Sequence, residues 1–90
     1  MSGRSYRARV DVRLDANVND PQGNAVRDGL HSLGHADARE VRIGKIVELT
    51  LDAPDPEAAR ARVERMCQEL LANPIIESYE IAVAEEAGEA

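Results

Sequence analysis

Ser5-Tyr6-Arg7-Ala8-Arg9-Val10-Asp11-Val12-Arg13-Leu14 alternates apolar and charged side chains almost without a break. Tyr6, Ala8, Val10, Val12 and Leu14 fall on one face, and Arg7, Arg9, Asp11 and Arg13 on the other. A period of two over ten residues is that of a half-buried strand. The fold is organised around what covers its apolar face.

Downstream, Asp20-Pro21 opens a helix: Asp caps the first free N–H groups, and Pro suits the first helical position. Val26, Leu30 and Leu33 form its apolar stripe, and Gly34 stands where a left-handed residue ends a helix. Gly23 and Gly29 lower its intrinsic propensity, and either permits close packing against the sheet. Residues 38–43 and 46–52 read as two strands around Gly44-Lys45, supported by the β-branched Val41, Ile43, Ile46 and Val47. A two-residue turn would put Ile43 on the face of Ile46. A three-residue loop sets Val41 and Ile43 with Val47, Leu49 and Leu51, which makes the better core. Asp55-Pro56 repeats the capping device, and the second helix is expected to run to about Leu71, burying Ala59, Val63, Met66, Cys67, Leu70 and Leu71. Asn73-Pro74 stops it. A last strand over 75–83 carries Ile75, Tyr79, Ile81 and Val83 on one face, and residues 85–90 read as an acidic, frayed tail after a single domain over 1–84.

The order β-α-β-β-α-β predicts an α+β, two-layer ferredoxin-like sandwich: a four-stranded antiparallel sheet, in strand order 4-1-3-2, with both helices on one face. In that topology the end of the first strand, the Gly44-Lys45 turn and the start of the last strand lie at one end of the sheet. Asp20, Pro21 and Gln22, then Arg42, Gly44 and Lys45, then Asn73, Pro74, Ile76 and Glu77 should converge there as candidate contacts, although each segment alone is also an ordinary turn or cap. On the open face, Arg7, Arg9 and Arg13 should meet Glu48, Asp52 and Glu80, with Ile46 and Ile76 emerging near Arg13. Two isoleucines flanking an arginine read as a subunit contact or as scattered surface apolars.

Composition limits the chemistry. Ninety residues form one domain, and a single cysteine, Cys67, excludes an internal disulfide, so self-association is the natural source of added stability. Residues 1–45 hold 8 basic and 6 acidic side chains, residues 46–90 only 3 basic and 11 acidic. An acidic chain with 2 Tyr, no Trp and no Phe suits neither a phosphate backbone nor base stacking, and an RNA-recognition domain of this topology would need aromatics on its central strands. No apolar run is long enough to span a bilayer, and the first residues show no apolar leader pattern, so a cytoplasmic location is expected. His31 and His35 are separated by the helix end at Gly34 and have no third ligand; no metal site is expected. Cys67 lies on an apolar stripe with no histidine placed to activate it. Gly44-Lys45 lacks the upstream glycine of a phosphate-binding loop, since position 39 is Arg. The free N–H groups at Gln22 and Gly23 could receive a phosphate, but Asp20 competes for them. No nucleophile, tuned base or metal set emerges.

Three stretches carry a resemblance that spans about Tyr6 to Val83. Asp20-Pro21-Gln22-Gly23, Arg42-Ile43-Gly44-Lys45 leading into Glu48-Leu49-Thr50-Leu51, and above all Leu70-Leu71-Ala72-Asn73-Pro74-Ile75-Ile76-Glu77-Ser78-Tyr79-Glu80-Ile81 resemble the PurS family, the small subunits of phosphoribosylformylglycinamidine synthase. Gln22-Gly23-Asn24 departs from it mildly, where a basic residue is expected after the glycine. The resemblance implies a non-catalytic homodimeric subunit that bridges a large ATP-dependent synthetase (PurL) and a glutaminase (PurQ). That complex turns formylglycinamide ribonucleotide, ATP and glutamine into formylglycinamidine ribonucleotide in purine synthesis. It implies no cofactor on this chain, with ATP and magnesium used elsewhere in the complex, and no catalytic residue. An ACT-like module binding an amino acid at a dimer interface shares the topology and is the alternative.

Overall fold

A computed structural model describes residues 3–86 of the chain. The alternating stretch forms the central strand β1 (Arg4–Leu14). It is flanked on one side by β2 (Gly44–Ala53) and on the other by β3 (Glu77–Glu85), both antiparallel to it, in the order β2-β1-β3. Helix α1 (Pro21–Ser32) lies between β1 and β2 in sequence. Helix α2 (Pro56–Met66) lies between β2 and β3 and runs directly into a π-turn (Cys67–Leu71).

The register follows the alternation. Tyr6, Ala8, Val10 and Val12 stand opposite Leu51, Leu49, Val47 and Lys45 on one side, and opposite Glu85, Val83, Ile81 and Tyr79 on the other. One face of the sheet therefore collects the apolar side chains, and α2 lies across it with Ala59, Val63 and Cys67 fully buried against Tyr6, Ala8 and Val10. Both helix starts use the capping device read from the sequence: the Asp20 carboxylate accepts the Gly23 N–H at 2.9 Å and the Asp55 carboxylate the Ala58 N–H at 2.7 Å. Leu33 caps α1 and Gly34 follows at φ +101°, the left-handed conformation that favours glycine.

Four expectations are corrected. The sheet has three strands, not four: residues 38–43, after the turn that follows α1, pair with no strand among the described residues, so the hairpin around Gly44-Lys45 does not form. Only α2 covers the sheet; α1 stands off as an arm, with Val26 and Leu33 exposed. The molecule is accordingly long, 55 × 32 × 14 Å, with a radius of gyration of 17.3 Å where a compact chain of this length would have about 12 Å. Third, α2 gives way to the π-turn at Cys67, where the Ala72 N–H reaches back five residues to the Cys67 carbonyl. The wider turn rotates Leu70 out of the stripe, so it is 83% exposed rather than buried. Finally, β3 begins at Glu77, leaving Ile75 in the preceding turn and 85% exposed. At its other end Glu85 is still strand, and the Glu86 N–H donates to the Ser5 carbonyl at 2.8 Å, so these two residues are not a frayed tail; residues 87–90 lie outside the described range.

Candidate functional site

The segments expected to meet do meet at one end of the sheet. Arg13 pairs with Gly44 on one side and Ser78 on the other, Leu14 pairs with Glu77, and the Asp15 N–H donates to the Ile76 carbonyl at 2.8 Å. Two sets of hydrogen bonds organise that end, and a third joins α2 to β3.

The first is a clamp at the root of α1. Asp20 is 4% exposed, and while one carboxylate oxygen caps the helix, the other accepts the Ile43 N–H at 2.8 Å. These backbone donors, with the Arg42 guanidinium nearby, hold the Asp20 carboxyl below its ordinary range. Arg42 in turn donates to the carbonyls of Asp15 and Val18, at 2.8 and 2.9 Å, tying down the loop that leads into the helix. Gly23 closes the clamp: a Cβ there would collide with the Val41 carbonyl. The close approach read from the sequence thus exists, but to the chain at Val41 and not to the sheet. Pro21 and Gln22 sit beside the clamp and are exposed.

The second set is the turn before β3. The Glu77 side chain accepts the Asn73 N–H at 2.7 Å, the Asn73 side chain accepts the Ile75 N–H at 3.1 Å, and the Asn73 carbonyl accepts the N–H groups of Ile76 and Glu77. Pro74 and Ile75 are held outward at the crest; Ile76 is 36% exposed. The third set links α2 to β3: the Tyr79 hydroxyl donates to Glu64, and Arg60 donates to the Ile81 carbonyl at 2.9 Å.

Between the clamp and the sheet end lies an open cleft of about 740 Å³. Val12, Leu14 and Ile43 supply apolar wall; Arg13, Arg42 and Lys45 supply positive charge, with Asp11 and Glu40 opposing it. On the open face of the sheet the charge pairing differs from expectation. Glu48 does stand opposite Arg9, but Glu80 stands opposite Asp11 and Asp52 opposite Ser5; the ion pairs formed are Arg9–Asp11 at 3.3 Å and Arg7–Glu86 at 3.4 Å. Ile46 is 55% exposed and faces Asp11 across the strands, one pair removed from Arg13.

Reacting groups are scarce. Cys67 is fully buried, and burial, with Glu64 nearby, pushes its thiol up and away from the reactive thiolate. One ring nitrogen of His31 lies 2.6 Å from the Ala38 carbonyl, which leaves the ring holding the chain after α1. Among the described residues no group of three His, Cys, Asp or Glu side chains could hold a metal ion, and no helix is long and apolar enough to cross a membrane. Sequence reasoning missed two features of this end: the outward Leu70 and Ile75, and the clamp formed by Asp20 with Ile43. The Asp-Pro pair showed the cap but carried no sign of the second bond, which spans 23 residues.

A hydrogen-bonded clamp at the root of a helix arm, an apolar stripe on that arm with no sheet beneath it and a three-stranded antiparallel sheet covered by one helix define a small α+β domain of a particular class. Comparison with known proteins gives the particular family. The family model described as PurS, phosphoribosylformylglycinamidine (FGAM) synthase, matches residues 7–85. The chain is 49% identical over 75 residues to the PurS subunit of that synthase from Synechocystis, covering 83% of this chain and 75% of that one. The solved Bacillus subtilis PurS superposes with a TM-score of 0.80 at 44% identity, over 89% of this chain and 99% of that one. A chain of the solved PurLQS structure from Thermotoga maritima gives a TM-score of 0.80 at 31% identity, over 89% and 98%. The chain belongs to the PurS family, the small subunits of phosphoribosylformylglycinamidine synthase.

Proposed function

We propose that this chain is the non-catalytic assembly subunit of a phosphoribosylformylglycinamidine synthase, holding a large synthetase subunit (PurL) and a glutaminase subunit (PurQ) in one complex in the cytoplasm. The likeness to a chain of a PurLQS structure over nearly its whole length carries this reading. The synthetase would bind ATP and magnesium and make the carbon–nitrogen bond; the glutaminase would release ammonia. Ammonia lost to water is lost to the reaction, so fixing the distance between the two centres is itself a contribution to rate.

The same reading includes a second copy of this chain. An isolated helix of 12 residues is marginal in water, and α1 has no sheet beneath its stripe of Val26, Leu30 and Leu33. Meanwhile Val47 and Leu49 on the covered face of β2 are only half-buried, and the backbone of residues 39–42 makes no backbone hydrogen bond among the described residues. A partner copy that lays its own α1 over this edge, and receives this one in exchange, would satisfy both at once. The clamp at Asp20 and Arg42 would then set the direction in which the arm is offered. Arg13, Lys45 and Ile46, around the cleft, are its expected neighbours.

The experiment is reconstitution. Purified synthetase and glutaminase should gain glutamine-dependent turnover on addition of this chain, while ammonia-dependent turnover by the synthetase alone should change little. Full glutamine-dependent turnover in its absence would overturn the reading. Light scattering on Leu33→Asp should report a smaller particle than wild type with an unchanged far-UV spectrum; an unchanged mass would place the self-contact elsewhere.

A further inference from the structure

The two edges of the sheet are protected differently. β2, the edge to which the exchange of α1 is assigned, carries Lys45, Glu48 and Asp52 along its length. β3 forms the opposite edge. Between Glu80 and Glu85 it reads Ile81-Ala82-Val83-Ala84, with no charge and no proline, and it pairs with β1 from Glu77 to Glu85 without a bulge. Charges, prolines and bulges are the devices that keep an exposed edge from pairing, and this stretch has none of them.

The hydrogen bonds of β3 show which backbone groups it offers. Opposed residues of an antiparallel pair alternate between exchanging both backbone bonds and exchanging none. The Glu86 N–H donates to the Ser5 carbonyl and the Asp15 N–H to the Ile76 carbonyl, so Ser78, Glu80, Ala82 and Ala84 are the residues that bond β1. Tyr79, Ile81 and Val83 therefore aim their N–H and C=O groups away from the sheet. The Arg60 guanidinium, 2.9 Å from the Ile81 carbonyl, marks that direction and is the only partner of these groups among the described residues. A groove of about 420 Å³, lined by Arg60, Glu64, Tyr79, Glu80 and Ile81, lies along the edge.

The strand is complementary to itself. Two copies of β3 related by a two-fold axis run antiparallel, and their outward groups meet only where odd-numbered residues face odd-numbered ones. With the axis at Ala82, Ile81 faces Val83 and Tyr79 faces Glu85 on the covered side. On the open side Glu80 faces Ala84, and Ala82 faces its own image, where small side chains suit the close approach of a pair without backbone bonds. No like charges are opposed. An axis at Ile81 sets Glu77 against Glu85, one at Val83 sets Glu80 against Glu86, and one at Glu80 sets that residue against itself; like charges directly opposite are destabilising. Axes nearer either end leave only a short overlap. In the Ala82 register Arg60 stands one pair from Glu85 of the second copy and offsets Glu64 beside it.

We propose that β3 pairs with β3 of a second copy about a two-fold axis at Ala82, continuing one sheet through both molecules. This contact is independent of the assembly role and lies on the edge opposite the exchange of α1.

The test uses the full-length chain. In this register the Cα atoms of Ala82 and its image are about 4.5 Å apart, within disulfide reach. Ala84, also exposed, is four residues from its image along the strands, about 13 Å. Under mild oxidation Ala82→Cys should form a covalent dimer at least tenfold faster than Ala84→Cys, with the buried Cys67 silent. Equal rates, or no cross-link in Ala82→Cys, overturn the proposal. Ala82→Glu sets two carboxylates face to face and should halve the mass seen by light scattering, in wild type and in Leu33→Asp alike, with an unchanged far-UV spectrum; an unchanged mass also overturns it. An unchanged mass in Leu33→Asp alone refutes the exchange of α1 and leaves this pairing standing. Should Ala82→Glu lose its far-UV spectrum, the two cysteine variants decide.

Discussion

Gly23 and Gly29 lie on one helix, yet the same substitution should move stability in opposite directions at the two positions. Replacing a helical glycine by alanine gains up to about 1 kcal/mol of helix propensity. At Gly29 nothing lies within 4 Å of where the new Cβ would stand, so Gly29→Ala should keep that gain. For a domain of this size about 1 kcal/mol raises the melting temperature by roughly 4–8 °C, provided that α1 melts with the rest. At Gly23 the same Cβ would strike the Val41 carbonyl, with the Asp20 carboxylate and the Val41 carbonyl carbon both at 2.9 Å. Two of those three atoms are backbone and cannot swing away. The helix root and the chain at Val41 would have to part by about an ångström, an overpacking cost of about 1–3 kcal/mol that outweighs the propensity gain. That displacement would also stretch the 2.8 Å bond from the Ile43 N–H to Asp20 beyond hydrogen-bond reach. Gly23→Ala should therefore lower the melting temperature and speed amide exchange at Ile43, whereas Gly29→Ala raises the first and leaves the second alone. A Gly23→Ala protein that melts at or above wild type, with its Ile43 amide still protected, would refute the clamp.

Three further outcomes follow from the same contacts. Val63 is fully buried between α2 and the sheet, so Val63→Ala should cost about 2 kcal/mol in urea unfolding with an unchanged slope; a cost under about 0.5 kcal/mol would mean that α2 does not seat there. Cys67 should resist a thiol reagent at neutral pH in the native protein and react at once in denaturant; rapid native labelling would contradict its burial. The Asp20 carboxyl is depressed on folding from its ordinary 3.8, so its stabilisation is complete above that pH and is lost as the pH falls through the lower folded value. The Gly23 and Ile43 amide resonances should accordingly shift together with a midpoint below 3.8, and a midpoint at or above it would remove the clamp's electrostatic basis.

Much of this fold is legible in the sequence because the signals are local. The alternation from Tyr6 to Leu14 forces a strand with one covered face, and the Asp-Pro pairs start both helices where they begin. Val47, Leu49 and Leu51 do share the face of the β1 apolar set, as the hydrophobic pattern demands. The meeting of Leu14, Gly44 and Glu77 follows from antiparallel pairing alone. What failed is equally physical. Val41 and Ile43 alternate as a strand should, and Val26, Leu30 and Leu33 form a stripe as a core helix should, yet among the described residues the first segment pairs with no strand and the second lies over no sheet. Periodicity states that a face will be buried; it does not state which molecule buries it.

Leu70 shows the same limit from the opposite side. At helical spacing it belongs with Val63 and Cys67, and an unbroken α-helix would bury it. One extra residue in the turn after Cys67 is enough to send it outward, and no residue type in Cys67-Gln68-Glu69-Leu70-Leu71 announces that insertion. Exposing a leucine forfeits about 2 kcal/mol of burial that an ordinary helix would have kept. The candidate site is thus read best where the local rules break: an arm without a sheet beneath it, a segment at Val41 and Ile43 clamped to that arm rather than paired in the sheet, and a leucine turned away from the core that its spacing assigns it.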